Sequence, residues 1–367
     1  MLTPYDDFPL HQAPWPIDRV ATSDRNFYDR YYFNVHDTAC ETFLAFGLGV
    51  YPNLGVMDAF ACGVRGEQHH IVRASRTLGG DRHVTTVGPL RVDVIEGLRR
   101  LRIACDSPDR VLSFDITFEA WSDAHEEPHF LYRNPLGRTV MDYTRLTQLG
   151  RPTGWLRIGR EEFAVDAEAW RAARDRSWGI RPVGESEPEG ALADRPERMQ
   201  FFWNWSPVHL GDVGVLYTAS EHENGQRWHQ SGAVLAQGAG VRHAVGVEHD
   251  LRFEPGTRRF AGAHVTVDMG AGERLRLEYT PRLRFLMPAI GYRGPWAHGE
   301  YQGDLAVQDE IWDGADAMTS TVHGWLTETL CDVRCGDRRG QGVFEMAVIG
   351  PHRRYGFQDL FDGWAPR

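Results

Sequence analysis

Long apolar runs are missing from this chain: no stretch of its 367 residues approaches the roughly 18 that a membrane helix needs. The opening Met1-Leu2-Thr3-Pro4-Tyr5-Asp6-Asp7 has neither the basic start nor the apolar core of a secretion signal, which predicts a cytoplasmic location. Cysteine is scarce. The five present (Cys40, Cys62, Cys105, Cys331, Cys335) are odd in number and scattered, and the last two have no second pair to complete a zinc site. They read as reduced thiols filling small core positions. Positive charge is short, with 40 basic against 51 acidic residues and a net −11, so phosphate backbones and anionic lipid surfaces are repelled. No nucleic-acid partner is expected. There is no G-x-S-x-G elbow, P-loop or Rossmann glycine pattern, so no ATP, NAD, flavin or other cofactor is expected.

Helical periodicity is in short supply as well. Residues 166–174, capped by Asp166, and residues 24–31 are the few segments that read as short helices. Elsewhere the period is two. Across residues 112–120, Leu112, Phe114, Ile116 and Phe118 alternate with Ser113, Asp115, Thr117 and Glu119. Residues 91–96 and 98–105 predict a hairpin about Gly97, and residues 264–268 and 273–279 a second about Gly270-Ala271-Gly272. Residues 31–37 and 46–53 predict two early strands, and residues 342–350 a closing one. The 39 glycines and 20 prolines punctuate the chain at intervals suited to short strands and tight turns. Such a pattern predicts barrels or sandwiches. The length allows two domains, and 42% hydrophobic residues are enough for two sizeable cores. The acidic, proline-bearing residues 184–196 form the best linker. The expected division is therefore residues 1–183, a linker over 184–199, and residues 200–367.

Aromatic residues are plentiful, with 12 Trp, 12 Tyr and 18 Phe beside 16 His. Many must pack in cores, and a surplus is what a pocket for an apolar ligand needs. The most distinctive stretch is residues 150–182. Two β-like pieces, 155–158 and 162–165, flank the turn at Gly159-Arg160, and Asp175 and Trp178 then stand three apart just before Gly179. This order resembles the pattern shared by hydroxyneurosporene (carotenoid) hydratases, AttH-like proteins and tocopherol cyclases: a strand pair, then Asp-x-x-Trp, often followed by Gly. The resemblance implies an all-β fold of two lipocalin-like (calycin) barrels, or strongly curved sheets, packed side by side. Those hydratases often carry Glu where this chain has Ser177, and no membrane-anchoring segment is evident. A smaller or more soluble molecule than a carotenoid is therefore expected.

Candidate site residues come from chemistry. Trp203 and Trp205, two apart in an extended segment, share a face with Phe201. They form either a core stripe or an aromatic wall, and each Trp face stabilises a cationic centre by roughly 0.5–2 kcal/mol. His209 and Tyr217 could supply polar contacts. His264 and Asp268 share one face of a strand, which looks either at water or into the barrel. In the interior, Asp268 would have a raised pKa and donate a proton at neutral pH, with His264 in reach of the same ligand. The resemblance implies an acid of this kind. Asp175, flanked by Arg174 and Arg176, is expected to stay ionised and make a poor acid; it caps a turn or edges a cavity beside Trp178. His298, in the Gly- and aromatic-rich residues 291–301, and Tyr51, in an early strand, read as packing residues or as pocket residues.

One motif misleads. His125-Glu126-Glu127-Pro128-His129 matches H-E-x-x-H, but that motif works on a helix, and Pro128 would break one at a cost of about 3 kcal/mol or more. A strand-connecting loop is expected, and no metal. Two functions remain. One is a cofactor-independent hydratase, cyclase or isomerase acting on an apolar isoprenoid- or polyketide-like substrate by protonation and cation stabilisation. The other is a non-catalytic carrier for a small hydrophobic ligand.

Overall fold

A computed structural model describes residues 2–10, 16–106, 111–134, 136–183, 200–292, 294–315, 326–360 and 362. Regular structure among them is almost entirely antiparallel strand, organised into a 14-stranded and a 9-stranded sheet. The chain divides into two compact units, 1–37 with 42–191 and 288–312, and 38–41 with 192–287 and 313–367. Residues 288–312 thus belong with the first unit although they lie far along the second half. The expected linker, residues 184–199, lies outside the described residues.

In the first unit the strands β1 (Phe27–Asp37), β2 (Thr42–Tyr51), β3 (Val56–Arg65) and β4 (Gln68–Thr77) form a meander. On its other side β1 pairs with Trp170–Ile180, which pairs with Thr139–Ile158, and that strand with Leu112–Ala120. Alternation sends Tyr31, Phe33, Leu48, Met57, Phe114 and Phe118 into one core. The sheet curls tightly enough that a side chain at Gly63 of β3 would strike Leu112 and Ile158 from across the barrel, at 2.7 and 2.9 Å. Phe33 meets Phe118 edge-on at 5.8 Å for the same reason. The concave face of this barrel is packed with side chains.

The second unit is again a curled antiparallel sheet. It runs from Val241–His243 and Arg227–Leu235 through Val213–Glu221, Phe201–Leu210, Arg338–Ile349, Leu326–Cys335 and Glu273–Leu286 to Phe260–Gly270 and Gly246–Phe253. A side chain at Gly232, on the strand next to one edge, would sit 2.7 Å from Val247 on the opposite edge strand, so the sheet curls strongly.

Both expected helices are corrected. Asp166 does cap a turn, its carboxylate accepting from the N–H of Glu168 (2.9 Å) and Ala169 (2.8 Å), but the chain then enters the strand Trp170–Ile180. Pairing on both sides of that strand overrides the local helical preference. Residues 24–31 likewise make a turn and run into β1. The H-E-x-x-H segment is extended, with His125–Glu126 paired to Leu146 and Thr147, so its histidines are not one helical turn apart.

Candidate active site on the first unit

Strand register assembles the site. Reading across the convex face, Arg145, Ser177, Arg30, Gly49, Asp58 and Ser75 stand opposite one another on five successive pairings. The neighbouring row is Thr147, Asp175, Tyr32, Gly47, Phe60 and Arg73. The two glycines of β2 make room for neighbouring side chains: Tyr51 lies over Gly49, and Arg30 and Phe60 border Gly47, with Arg30 on one side and Asp58 on the other. Residues 288–303 of the same unit fold back across this face: the Gly299 N–H donates to Asp58 Oδ2 (2.7 Å), Ser75 Oγ to the Glu300 carbonyl (3.2 Å) and Arg73 Nε to the Ala289 carbonyl (3.1 Å).

That cover leaves Asp58 only 2% exposed. Desolvation pushes its carboxyl up to about 7, outweighing the lowering effects of the Gly299 N–H, Arg30 and Tyr51. A carboxyl so placed keeps its proton up into the neutral range. Its Oδ1 has no hydrogen-bond partner among the described residues. The Tyr51 hydroxyl stands beside the carboxyl without completing a bond of ordinary geometry. It lies over Gly49, where a Cβ would come within 2.2 Å of the hydroxyl oxygen.

Arg30 reaches His298, with Nη1 2.9 Å from Nδ1 and Nη2 2.8 Å from Nε2, while His298 Nε2 is 2.8 Å from the Ile290 carbonyl. Burial, then the charges of Arg30 and Arg181, hold His298 well below its usual pKa, so the ring is neutral. With its single N–H on Nε2 directed at the Ile290 carbonyl, Nδ1 accepts from Arg30 Nη1, and the approach of Nη2 to Nε2 is a contact and not a hydrogen bond. Beside this pair Tyr28 presents a buried hydroxyl next to Ser177. Asp175 is raised above the usual carboxylate range by burial, against the pull of Arg145, Arg30 and Arg181. Arg145 is neutralised separately by Glu127, which also accepts from Thr147 Oγ1 (2.6 Å).

The structure brings three of the expected site residues, Asp175, Tyr51 and His298, into this cluster. Asp175 is not held by its chain neighbours. Alternation turns Arg174 and Arg176 to the barrel side, where they pair with Asp7 and Asp29, and burial raises Asp175 instead of keeping it a poor acid. Trp178 lies on that same barrel side, 5.9 Å from Arg176, so it and Asp175 face opposite ways. Asp268 is placed on the solvent side of its strand: it pairs with Arg274 at 3.0 Å, and the Gly270 N–H and Arg274 hold its carboxyl below the usual range. His264, on the same side, is exposed. Trp203, Trp205 and His209 share one buried face in the second unit, with Trp203 Nε1 donating to Glu345 (2.8 Å). Tyr217 points the other way into that unit's core, where its hydroxyl donates to Asn204 (3.3 Å).

Sequence reasoning missed Asp58, Arg30, Tyr28 and Arg181. A signal existed for the first, since Asp58 is the single acidic residue in the otherwise apolar Val56–Val64 run of β3. The second unit holds a further buried polar cluster. Glu221 accepts from Arg227 (2.9 Å), His249 (2.8 Å) and His352 (3.0 Å), and Tyr355 donates to His249 Nδ1 (2.9 Å). It stitches the segment after Ile349 to the core, and its groups chiefly satisfy one another.

Residues 2–358 match the profile of a family of unknown function, DUF8625. The chain belongs to that family. No curated protein matches it. Among solved structures it is similar to an AttH-type protein from Nitrosomonas europaea, at 13% identity and a TM-score of 0.54, over 92% of this chain and 97% of that one. CghA, solved with Sch210972, aligns at 11% identity and a TM-score of 0.52, over 93% and 95%. Kievitone hydratase from Nectria haematococca aligns over 93% and 98%, at 12% identity and a TM-score of 0.48. The shared property is the fold: the chain has the double lipocalin-like architecture of these solved structures, as residues 150–182 implied. No helix among the described residues is long and apolar enough to cross a membrane.

Proposed function

We propose that the chain is a cofactor-independent acid catalyst of the hydratase, cyclase or isomerase kind, with Asp58 as the proton donor. The single observation that carries this is the burial of the Asp58 carboxyl, 2% exposed beneath the Gly299 N–H and beside the Tyr51 hydroxyl, which pushes it up to about 7. A group that titrates in the neutral range is at the optimum for giving and retrieving a proton. Asp58 Oδ1–H protonates an alkene carbon or a departing hydroxyl of an apolar, isoprenoid- or polyketide-like substrate. The carboxylate left behind is held by the Gly299 N–H and faces Arg30. The electron-rich ring of Tyr51, beside the carboxyl, shields the cation by roughly 0.5–2 kcal/mol. Loss of a proton to the Asp58 carboxylate, or capture of water followed by that loss, closes the cycle with atoms and charge balanced. The carrier reading has less support, because the barrel lumen in which a lipocalin-type guest would sit is occupied by the first core.

The test begins with mass spectrometry of an organic extract of the purified protein, to supply a substrate. Turnover of that compound by the wild type and its loss in Asp58→Asn support the assignment. Full turnover in Asp58→Asn removes Asp58 from the mechanism.

A further inference from the structure

The ends of the two barrels are finished differently. In the first unit the turn Pro4–Asp7 closes one end: a Cβ at Gly97 would come 2.0 Å from the Pro4 carbonyl oxygen, and Asp7 is buried against Arg174. In the second unit the segment after Ile349 closes the end at which Phe201–Leu210 begins, with Tyr355 and Phe357 buried in the core there and Tyr355 stacked on Phe202. The opposite end, where Val213–Glu221 starts and Leu326–Cys335 stops, holds a cavity of about 660 Å³. That volume falls within the roughly 300–1,000 Å³ of small-molecule sites.

The floor of this cavity is the last layer of the barrel interior. Val213, Leu275 and Cys335 pack against the core but are only partly buried, and Val234 lines the cavity with them. Register sets Arg242 opposite Val234 and Arg338 opposite Cys335, and directly paired residues share a face, so both side chains leave the backbone on the inner side of the rim. Arg274 and Arg276 flank Leu275 and extend the rim, and Glu273 is the one carboxylate in the lining. These arginines are tied to different degrees. Glu273 holds Arg242 at 2.5 Å and Asp268 holds Arg274 at 3.0 Å. Arg338 stands 3.4 Å from Asp212, with both side chains more than half exposed. The side chain of Arg276 makes no ion pair or hydrogen bond with any described residue.

Exposed guanidinium groups are well solvated and need no counterion; their arrangement about an apolar hollow is what selects a ligand. Among the lining side chains cations outnumber the anion four to one, in a chain of net charge −11. Such a mouth draws in small single anions while the molecule as a whole repels polyanionic surfaces. We infer that this end of the second barrel binds an amphipathic anion, an acyl or alkyl chain ending in one oxyanion group. The chain lies on Val213, Leu275 and Cys335, and the head meets Arg242 and Arg338, whose planar forks suit two oxygens that share a negative charge. The loose Arg338–Asp212 contact is the one such a head displaces with least loss. This site shares no residue with the Asp58 cluster and does not depend on the acid-catalyst reading.

Cys335 reports occupancy, because it is half-buried in the cavity lining while Cys40, Cys62, Cys105 and Cys331 are buried. Its alkylation by iodoacetamide is followed by mass spectrometry in the presence of decanoate, decyl phosphate, decanol or butyrate. Titration calorimetry with the same four compounds gives affinities that do not depend on thiol reactivity. A saturating ten-carbon anion is expected to slow alkylation of Cys335 by about tenfold or more. It is also expected to bind about tenfold or more tightly than decanol, which lacks the charge, and than butyrate, which lacks the chain. The tighter of the two anions tells a carboxylate head from a phosphate. Arg242→Met combined with Arg338→Met is expected to bring the preference over decanol to twofold or less. Arg338→Lys, which keeps the charge at an exposed position, is expected to retain part of it and secures the comparison if the double variant disturbs folding. Four results would overturn the assignment: no binding of either ten-carbon anion, binding that leaves Cys335 as reactive as before, equal affinity for decanol, or a preference that survives in the double variant.

Discussion

Asp58 and Asp268 carry the same functional group and have opposite electrostatics, and environment alone separates them. Asp58 has lost water and is raised; Asp268 keeps water, a backbone N–H and Arg274, and is lowered. An acid of the first kind works in its protonated form. Turnover by the wild type is therefore expected to hold steady below about 7 and to decline tenfold per pH unit above it, measured as kcat/KM against pH. Asp58→Asn is expected to cut turnover by about 10²–10⁴, the usual worth of a positioned acid. Asp268→Asn, on the solvent side of its strand, is expected to leave it unchanged. A large effect at Asp268 with none at Asp58 would reverse the assignment.

At the scale of elements, a glycine and a tyrosine two residues apart on β2 are mutually dependent. Gly49→Ala drives a methyl into the Tyr51 ring, where the hydroxyl oxygen, Cζ and Cε2 stand 2.2, 2.6 and 2.8 Å from the ideal Cβ. Overpacking of this kind costs about 1–3 kcal/mol. Tyr51→Ala alone removes a buried ring and costs about 3–5 kcal/mol. Because the second change removes the obstacle to the first, the double variant is expected to be more stable than the sum predicts by about 1 kcal/mol or more, read from urea midpoints. Additive losses would mean that Tyr51 does not lie over Gly49. Gly179 shows a different use of the missing side chain. It has φ +139° and sits between Tyr28 and Tyr143, whose rings meet edge-on at 6.1 Å across it. The Gly of the Asp-x-x-Trp-Gly pattern thus brings Tyr28 of the site against Tyr143.

These details mark what the sequence could disclose. Leu112–Ala120 and the hairpin ending in Glu273–Leu286 have one apolar and one polar face, so period two betrays them and their direction. β1 to β3 are buried on both faces, so no alternation of polar and apolar residues shows which way Arg30 and Asp58 point. His264 and Asp268 stood out because their strand alternates cleanly, which is also why they face water. Residues 288–303, which cover the site, lie some 240 positions from Asp58 in sequence, and no local pattern joins them.

Over the molecule as a whole, stability hangs on charges buried in both units. The short turn Pro4–Asp7 places Asp7, fully buried, against Arg174, which Gln148 also holds at 2.8 and 3.0 Å. Asp7→Ala leaves that guanidinium uncompensated and is expected to cost about 3–5 kcal/mol, seen as a fall in the urea midpoint. The pH dependence separates two further groups. Asp58 has its pKa raised on folding, so the stability it contributes is full below the unfolded value of 3.8 and is lost as pH rises through about 7. Glu221, held by His249, His352 and Arg227, is lowered from 4.5, so its contribution is present above that value and is lost as pH falls below it. Stability is therefore expected to peak in mildly acidic solution. Asp58→Asn, which keeps an acceptor for the Gly299 N–H but cannot ionise, should flatten the decline between about pH 4 and 7, by an amount on the order of a few kcal/mol. Its melting temperature should gain on the wild type at pH 8 and not at pH 4. Parallel curves for the two proteins across that range would show that Asp58 ionises normally, and the acid proposed for the site would have to be another group.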